Sequence, residues 1–394
     1  MLRTTCLSAL LVLLGAGWAG AQAQVASNPA AGTPAAPAAR WAFGAVLDVT
    51  HTSRALALGL RDQGLQLGHS DLNAAGPLGP WLRAQIAASF ATHEGRLEKE
   101  IEEAFVETTA LPAGLTLRAG RFPAQIGYLN QQHLHADDFT ERPLLYRAFF
   151  GGHWNDDGLR LSWTAPTPIY LALGAEVFRG RALVSELANT PPRAGVATLA
   201  AKLGADIGRS HSVLLGLSYI HNRREALAEH EEHDEGEAEA EEHEEESHGH
   251  GARFSGRKTW MVDATWKWSP DGNSRGQQLR LSAEAARISG LGRWAGSGDH
   301  HQALALAAVW RFHPSWEVGA RTDQLRVRVP HEEQLHTGRL REQSLMLAWK
   351  PTHLQMLRLQ ATRQSAAGEI DAPARRSVQL QYVVSFGAHG AHSF

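Results

Sequence analysis

The sequence predicts an all-β fold: a transmembrane antiparallel β-barrel of about 16 strands, with long loops at one end and short turns at the other. Three observations predict it. Runs in which apolar and polar residues alternate recur from Trp41 to Phe386. The connections between those runs alternate short and long. The 394-residue chain opens with an export signal, carries one Cys, 38 Gly and 12 Trp, and has a mean hydropathy of −0.29. After the signal it shows no long apolar run and no long amphipathic helix, a pattern typical of outer-membrane barrels, whose per-strand signal is weak.

The N-terminus is read first. Arg3, the apolar run Leu7 to Trp18 and two A-x-A sites at Ala19–Ala21 and Ala21–Ala23 make residues 1–23 a signal peptide. The run is too short to span a membrane, which takes about 20 apolar residues. Cys6 lies inside the signal, so the mature chain is expected to hold neither disulfides nor thiolate metal sites. Residues 24–40, rich in Ala and Pro, read as a disordered leader.

The barrel is expected over 41–386, with strands at 41–50, 64–72, 80–91, 97–109, 114–122, 158–165, 169–178, 198–207, 212–221, 259–268, 277–287, 302–312, 316–324, 342–350, 354–363 and 377–386. The run Trp260-Val262-Ala264-Trp266-Trp268, alternating with Asp263, Thr265 and Lys267, shows the pattern: one face suits lipid, the other a watery lumen. Short connections are Leu111–Ala113, Pro166–Pro168, Gly208–His211, Ser269–Gly272, His313–Ser315 and Pro351–His353. Long ones are 51–63, 123–157, 179–197, 222–258, 288–301, 325–341 and 364–376. An even strand count puts both termini in the periplasm, and a water-filled lumen needs roughly 16 strands.

Two loops carry chemistry. In 222–258, 13 acidic residues face 5 basic ones; the rest of the chain has 33 basic against 28 acidic, although the whole carries a net charge of −3. This tether holds His230, His233, His243, His248 and His250 with Glu231, Glu232, Glu242 and Glu244. Imidazole and carboxylate together suit divalent transition metals, zinc above all. A polar segment that cannot fold alone would bind Zn2+ weakly, and a plain acidic, cation-attracting field is the competing reading. Residues 123–157 are the third loop at their end, the position of the constriction in 16-stranded porins. Their His133, His135, Asp137, Asp138, Arg142, Arg147 and His153 are the candidate constriction residues. The bland alternative makes Asp156 and Asp157 turn residues and packs His133 against Arg142 or Tyr146.

Wall residues expected to face the lumen are Arg160, Lys202, Asp206, Asp263, Lys267, Arg280, Glu284 and Arg321, with Arg83 and Arg118 beside them. Their signs are mixed. No G-x-S-x-G, H-E-x-x-H or P-loop occurs, so no enzyme is expected and no cofactor is required.

The run Ile101 to Asn130 resembles the strand–turn–strand and G-R-F-x-x-x-x-G element of phosphate-selective-type porins, through Ala104-Phe105-Val106, Leu111-Pro112, Gly120-Arg121-Phe122 and Gly127. Asn130 to His133, Arg142-Pro143-Leu144, Asp157-Gly158, Ala165-Pro166-Thr167 and the closing Gly387 to His392 (GAHGAH) resemble a bacterial group labelled zinc-regulated outer-membrane proteins. The resemblance implies a Gram-negative outer-membrane porin-like barrel with a role in handling zinc. Phosphate selectivity does not carry over, because no lysine ladder is present. Expected partners are outer-membrane lipid, divalent cations and the barrel-assembly machinery, which reads a terminal aromatic on the last strand, Phe386 or Phe394. A homotrimer is a further expectation, and nucleic acid is not one. Residues 387–394 read as a tail. Two functions are open at this point: a passive channel for small hydrophilic solutes, or a barrel plugged by its third loop that binds metal or makes contacts at the surface.

Overall fold

The computed structural model describes residues 40–180, 183, 194–223, 251–292, 294–331, 334–372 and 374–387. The expected signal peptide, nearly all of the expected leader, the His and Glu residues of the tether and nearly all of the expected C-terminal tail lie outside the described residues.

One closed antiparallel sheet forms the barrel. Its strands are β1 (Ala42–Thr52), β2 (Gly64–Leu67), β3 (Ser70–Leu78), β4 (Leu82–His93), β5 (Arg96–Thr108), β6 (Leu115–Pro123), β7 (Asn155–Thr164), β8 (Tyr170–Phe178), β9 (Val196–Ile207), β10 (His211–Asn222), β11 (Lys258–Trp268), β12 (Gln278–Ser289), β13 (His300–His313), β14 (Trp316–His331), β15 (Gln334–Thr352), β16 (Gln355–Gly368) and β17 (Arg376–Gly387). β2 and β3 both lie along β1, pairing Thr52 with Gly64 at one end and Ala42 with Ala75 at the other. They are one stave broken at Gly68-His69, so the barrel has 16 staves. β17 pairs with β1, from Gly44 opposite Gly387 to Thr52 opposite Gln379, and closes it. Each of the 16 expected strands is present.

One expected long loop is not a loop. β14 and β15 run through 325–341 as a continuous ladder that ends with His331 opposite Gln334. Strands of 16 and 19 residues exceed the roughly 9–11 that cross a bilayer, so this hairpin stands beyond the membrane.

That extension exposes a reversal in the wall. In the membrane band Val262, Leu281, Val318 and Leu345 point outward, while Asp263, Glu284, Arg321 and Ser344 are buried inside. Towards the loop end the sense inverts. Leu325, Val327, Leu340, Ile288, Ile220 and Phe178 are buried inward, and Arg326 and Arg339 alternate with them on the outer face. Period-2 pleating lets a strand swap its apolar face without changing register. The lower band meets lipid; the upper collar needs an apolar filling.

The filling is the third loop, L3 (residues 124–154). It carries the helix α1 (Leu144–Phe150), which starts after Pro143 and stops at Gly151, in the left-handed conformation. All seven α1 residues are buried, as expected for a helix apolar almost all round and enclosed on every side. With Phe122, Trp154 and the collar residues, all of them but Arg147 form the larger apolar core among the described residues. Ala57 and Leu58 of the first loop, L1 (53–63), Phe254 after the tether, Leu291 and Ile370 pack against that core.

Candidate functional site: a loop packed across the lumen

L3 touches the wall on opposite sides. Tyr128 N and Tyr146 Oη donate to Glu284 of β12 at 2.8 and 2.5 Å. Lys202 of β9 donates to the Gly127 carbonyl and ion-pairs with Asp263 of β11, both at 2.7 Å. Thr140 N donates to Gln360 of β16, and Gln379 of β17 donates to Glu141. Arg321 of β14 caps the Glu141 and Arg142 carbonyls. Arg358 of β16 donates to the Asp137 carbonyl, and Arg280 of β12 ion-pairs with Asp138. Arg147 reaches Glu342 of β15 at 2.6 Å, both side chains wholly buried. Burial opposes the Arg147 charge, but Glu342 and Glu141 outweigh it and hold the guanidinium protonated.

At Gly127 the loop backbone runs against the wall. The glycine's φ is +55°, and a Cβ there would lie 2.2 Å from both Met261 Cε and Tyr146 Oη, so only glycine fits. Below L3, at the turn end, is a vestibule of about 510 Å³. Arg280, Arg311, Glu317 and Lys350 line it, and Gln132, His135 and Asp138 form its inner limit.

Where L3 meets β3 and β5, four histidines and three carboxylates come together. His153 Nε2 lies 3.0 Å from Glu102 Oε1 and His69 Nε2 lies 3.2 Å from Glu102 Oε2. His133 Nδ1 lies 3.5 Å from Glu102 Oε2 and 3.7 Å from Asp71 Oδ2, and its Nε2 lies 3.9 Å from Glu103. His135 Nδ1 lies 3.0 Å from Asp71 Oδ2. Burial pulls the His133 imidazole down, but the Glu102, Glu103 and Asp71 carboxylates win and push its pKa up to about 9. His135 moves the other way: burial and the neighbouring His133 and His69 lower it against the pull of Asp71.

Local irregularities in the wall build this cluster. β5 carries a β-bulge: Ala87 pairs with Glu103 and Ala88 with Ile101, so Glu102 is the extra residue. The bulge turns two consecutive carboxylates inward where alternation would allow one. His69 sits in the break between β2 and β3. Gly68 beside it lies so close to the Arg61–Asp48 ion pair that a Cβ would fall 2.3 Å from Arg61.

Comparisons with known proteins agree on the fold. A search found no protein-family model that matches the chain. An uncharacterised protein of Aquifex aeolicus (strain VF5) is 27% identical over 362 residues, covering 84% of this chain and 70% of that one. Among solved structures, OprB of Pseudomonas putida superposes with a TM-score of 0.54 at 12% identity, covering 88% of this chain and 94% of that one. DcaP, an outer membrane channel of Acinetobacter baumannii, gives 0.53 at 10%, covering 88% and 96%. An anion-selective porin of Comamonas acidovorans gives 0.52 at 11%, covering 88% and 99%. The fold is that of an outer-membrane porin.

Within that porin fold the expected site residues separate. His133, His135 and His153 come together. Asp137 does not join them: it ion-pairs with Arg142 at 2.7 Å. Asp138 turns to Arg280, and Asp157 at the start of β7 pairs with Arg121 and Arg179. His133 faces Asp71 and Glu102. Arg160, Lys202, Asp263, Glu284 and Arg321 are buried inward, and Arg160 pairs with Glu176 at 2.5 Å. Lys267 is half-buried near the vestibule, and Asp206 lies exposed near the turn end, accepting from Ser212. Arg83 and Arg118 share Glu107. His69, Asp71 and Glu102 were not singled out in the sequence. Only the unbroken pair Glu102-Glu103 in an alternating strand hinted at a bulge.

Proposed function

We propose that this protein is a porin-like channel of the Gram-negative outer membrane whose passage L3 closes at rest and opens on displacement, and that it handles divalent cations. The observation that carries the reading is the reach of L3. A loop that only narrows a pore would lie along one arc of wall. This one contacts β3 and β5 on one side and β12, β14, β15 and β16 on the other, and its helix fills an apolar collar. The porin-like neighbours and the outward apolar band support the outer-membrane setting. The His/Glu tether, which joins the loop ends of β10 and β11, is the part we assign to concentrating zinc or a similar cation.

The competing reading, a permanently plugged barrel acting as a surface metal-binding protein, draws on the same packing. Planar-bilayer conductance separates them. The parent protein should be nearly silent, with brief openings. A variant with residues 134–150 replaced by a short Gly/Ser linker, shown to fold by its heat-modifiable migration, should give steady steps. Steps of equal size in both proteins would overturn closure by L3. A parent that never opens, beside a variant that gives steady steps, would favour the plugged surface protein. OmpT of Vibrio cholerae, 10% identical with a TM-score of 0.52, is described in a trimer form. A trimer is our proposal for this chain as well, to be checked by light scattering in detergent.

A further inference from the structure

We propose that His69, Asp71 and Glu102 of the barrel wall and His133 of L3 form a divalent transition-metal site that fastens L3 to the wall, with His135 and His153 beside it. His69, Asp71 and His133 each present one donor atom, and the three atoms lie within 4.8 Å of one another. Glu102 Oε2 lies 3.2 Å from His69 and 3.5 Å from His133. A tetrahedral centre with bonds of about 2.0–2.1 Å has ligand atoms about 3.3 Å apart. The spacings already present are those of a site that needs only small rotations to close.

Three further features point to a cation here. The cavity lined by His69, Glu102, Glu103, His133 and His153 holds about 10 Å³, the scale of a single water or ion and far too small for a solute. Its polar walls face only one another. Asp71 and Glu102 are each only 2% exposed, and Asp71 Oδ2, Glu102 Oε1, His69 Nε2 and His135 Nδ1 meet the imidazoles and carboxylates of the cluster at 3.0–3.7 Å, while His153 Nδ1 makes no hydrogen bond. Carboxylates buried this way are costly unless a charge compensates them. The outer atoms are meanwhile held. Asn73 donates to Asp71 Oδ1 at 3.1 Å, leaving Oδ2 aimed at the imidazoles, and Gln85 donates to Glu103. Supporting bonds of this kind orient metal ligands. Imidazole with carboxylate, and no thiolate, selects Zn2+, Co2+, Ni2+ or Cu2+ over Ca2+ or Mg2+.

The wall contributes three of the four ligands and L3 the fourth. A bound cation therefore ties the loop to β3 and β5, opposite the Arg147–Glu342 anchor. This consequence rests on the reading that L3 closes the lumen; the binding itself does not.

The test is a titration of the purified full-length protein with Co2+, followed by visible ligand-field absorption and then displacement by Zn2+. A variant lacking residues 225–250 separates this site from the tether. That variant should retain one equivalent of Co2+ with the intense absorption of a low-symmetry four-coordinate centre. His69→Gln and Asp71→Asn in the same background should weaken it about ten-fold or more while heat-modifiable folding is kept. No retained equivalent, or one indifferent to both substitutions, would overturn the site and leave only histidine–carboxylate ion pairs. Conductance recorded with and without Zn2+ tests the fastening separately. A metal-bound protein whose openings match those of the metal-free one keeps the site and loses the fastening.

Discussion

At the residue scale, one carboxylate holds much of L3 in place. Glu342 accepts from Arg147 of the loop at 2.6 Å, and from Arg321 and Gln364 of the wall, both at 2.7 Å. Glu342→Gln would take away the ion-pair partner of the buried Arg147, while Arg321 would keep Asp323 at 2.7 Å. Breaking a buried pair by removing one partner typically costs about 3–5 kcal/mol. Here the cost should fall on L3 docking, not on the barrel ladder. Limited proteolysis should cut the variant within 124–154 while the parent resists, and its openings in bilayers should become more frequent. The outward face is tested differently. Val262 is 50% exposed and Leu281 43% exposed, towards lipid. Val262→Arg or Leu281→Arg should cost roughly 2–4 kcal/mol near the bilayer midplane and impair assembly. Lys267→Gln, inside, should not. Equal loss of heat-modifiable folding in all three would mean the faces are assigned wrongly. Alternation makes such faces readable from sequence. It cannot show that His69 meets His153, because these residues are joined only when the staves close around the loop.

Element by element, strands were legible because a pleated ladder repeats every two residues whatever its neighbours do. The failure at 325–341 has the same origin. Leu325, Val327 and Leu340 do alternate with Arg326 and Arg339, but the sense is reversed, so the stretch looked polar and loop-like. L3 was legible as a constriction-type loop from its position, yet its carboxylate partners sit on β3 and β5 and were not. The tether belongs to this scale. β10 and β11 are paired from His211 opposite Trp268 to His221 opposite Lys258 without it. Deleting 225–250 should therefore spare folding. Calorimetry at neutral pH should show weak zinc binding by the parent beyond the single site in the lumen, and none beyond it after the deletion. Imidazole binds metal only when neutral, with an ordinary pKa of about 6.5. The weak binding should fade as pH falls from about 7.5 to about 5.5, as protons take the same nitrogens. Weak binding that survives at the lower pH would assign it to carboxylates alone.

For the whole molecule, the barrel and its filling are held by different forces. The wall is closed by backbone pairing around every stave, with no free edge. The filling is held by an apolar core at the loop end and by buried ion pairs below it. A closed ladder does not need a packed interior to keep its hydrogen bonds. An apolar collar does: once exposed to water, Leu325, Val327 and Leu340 lose burial worth about 25 cal/mol per Å². Removing 134–150 should thus leave a barrel that still shifts on gels between heated and unheated samples, but at a lower transition temperature. The collar should then bind an apolar fluorescent dye that the parent excludes. Changing Leu325, Val327 and Leu340 to Ser in that shortened chain should abolish dye binding and recover part of the lost temperature. A shortened chain that fails to close at all would instead make L3 a part of the barrel's folding, and the division between wall and filling would not hold.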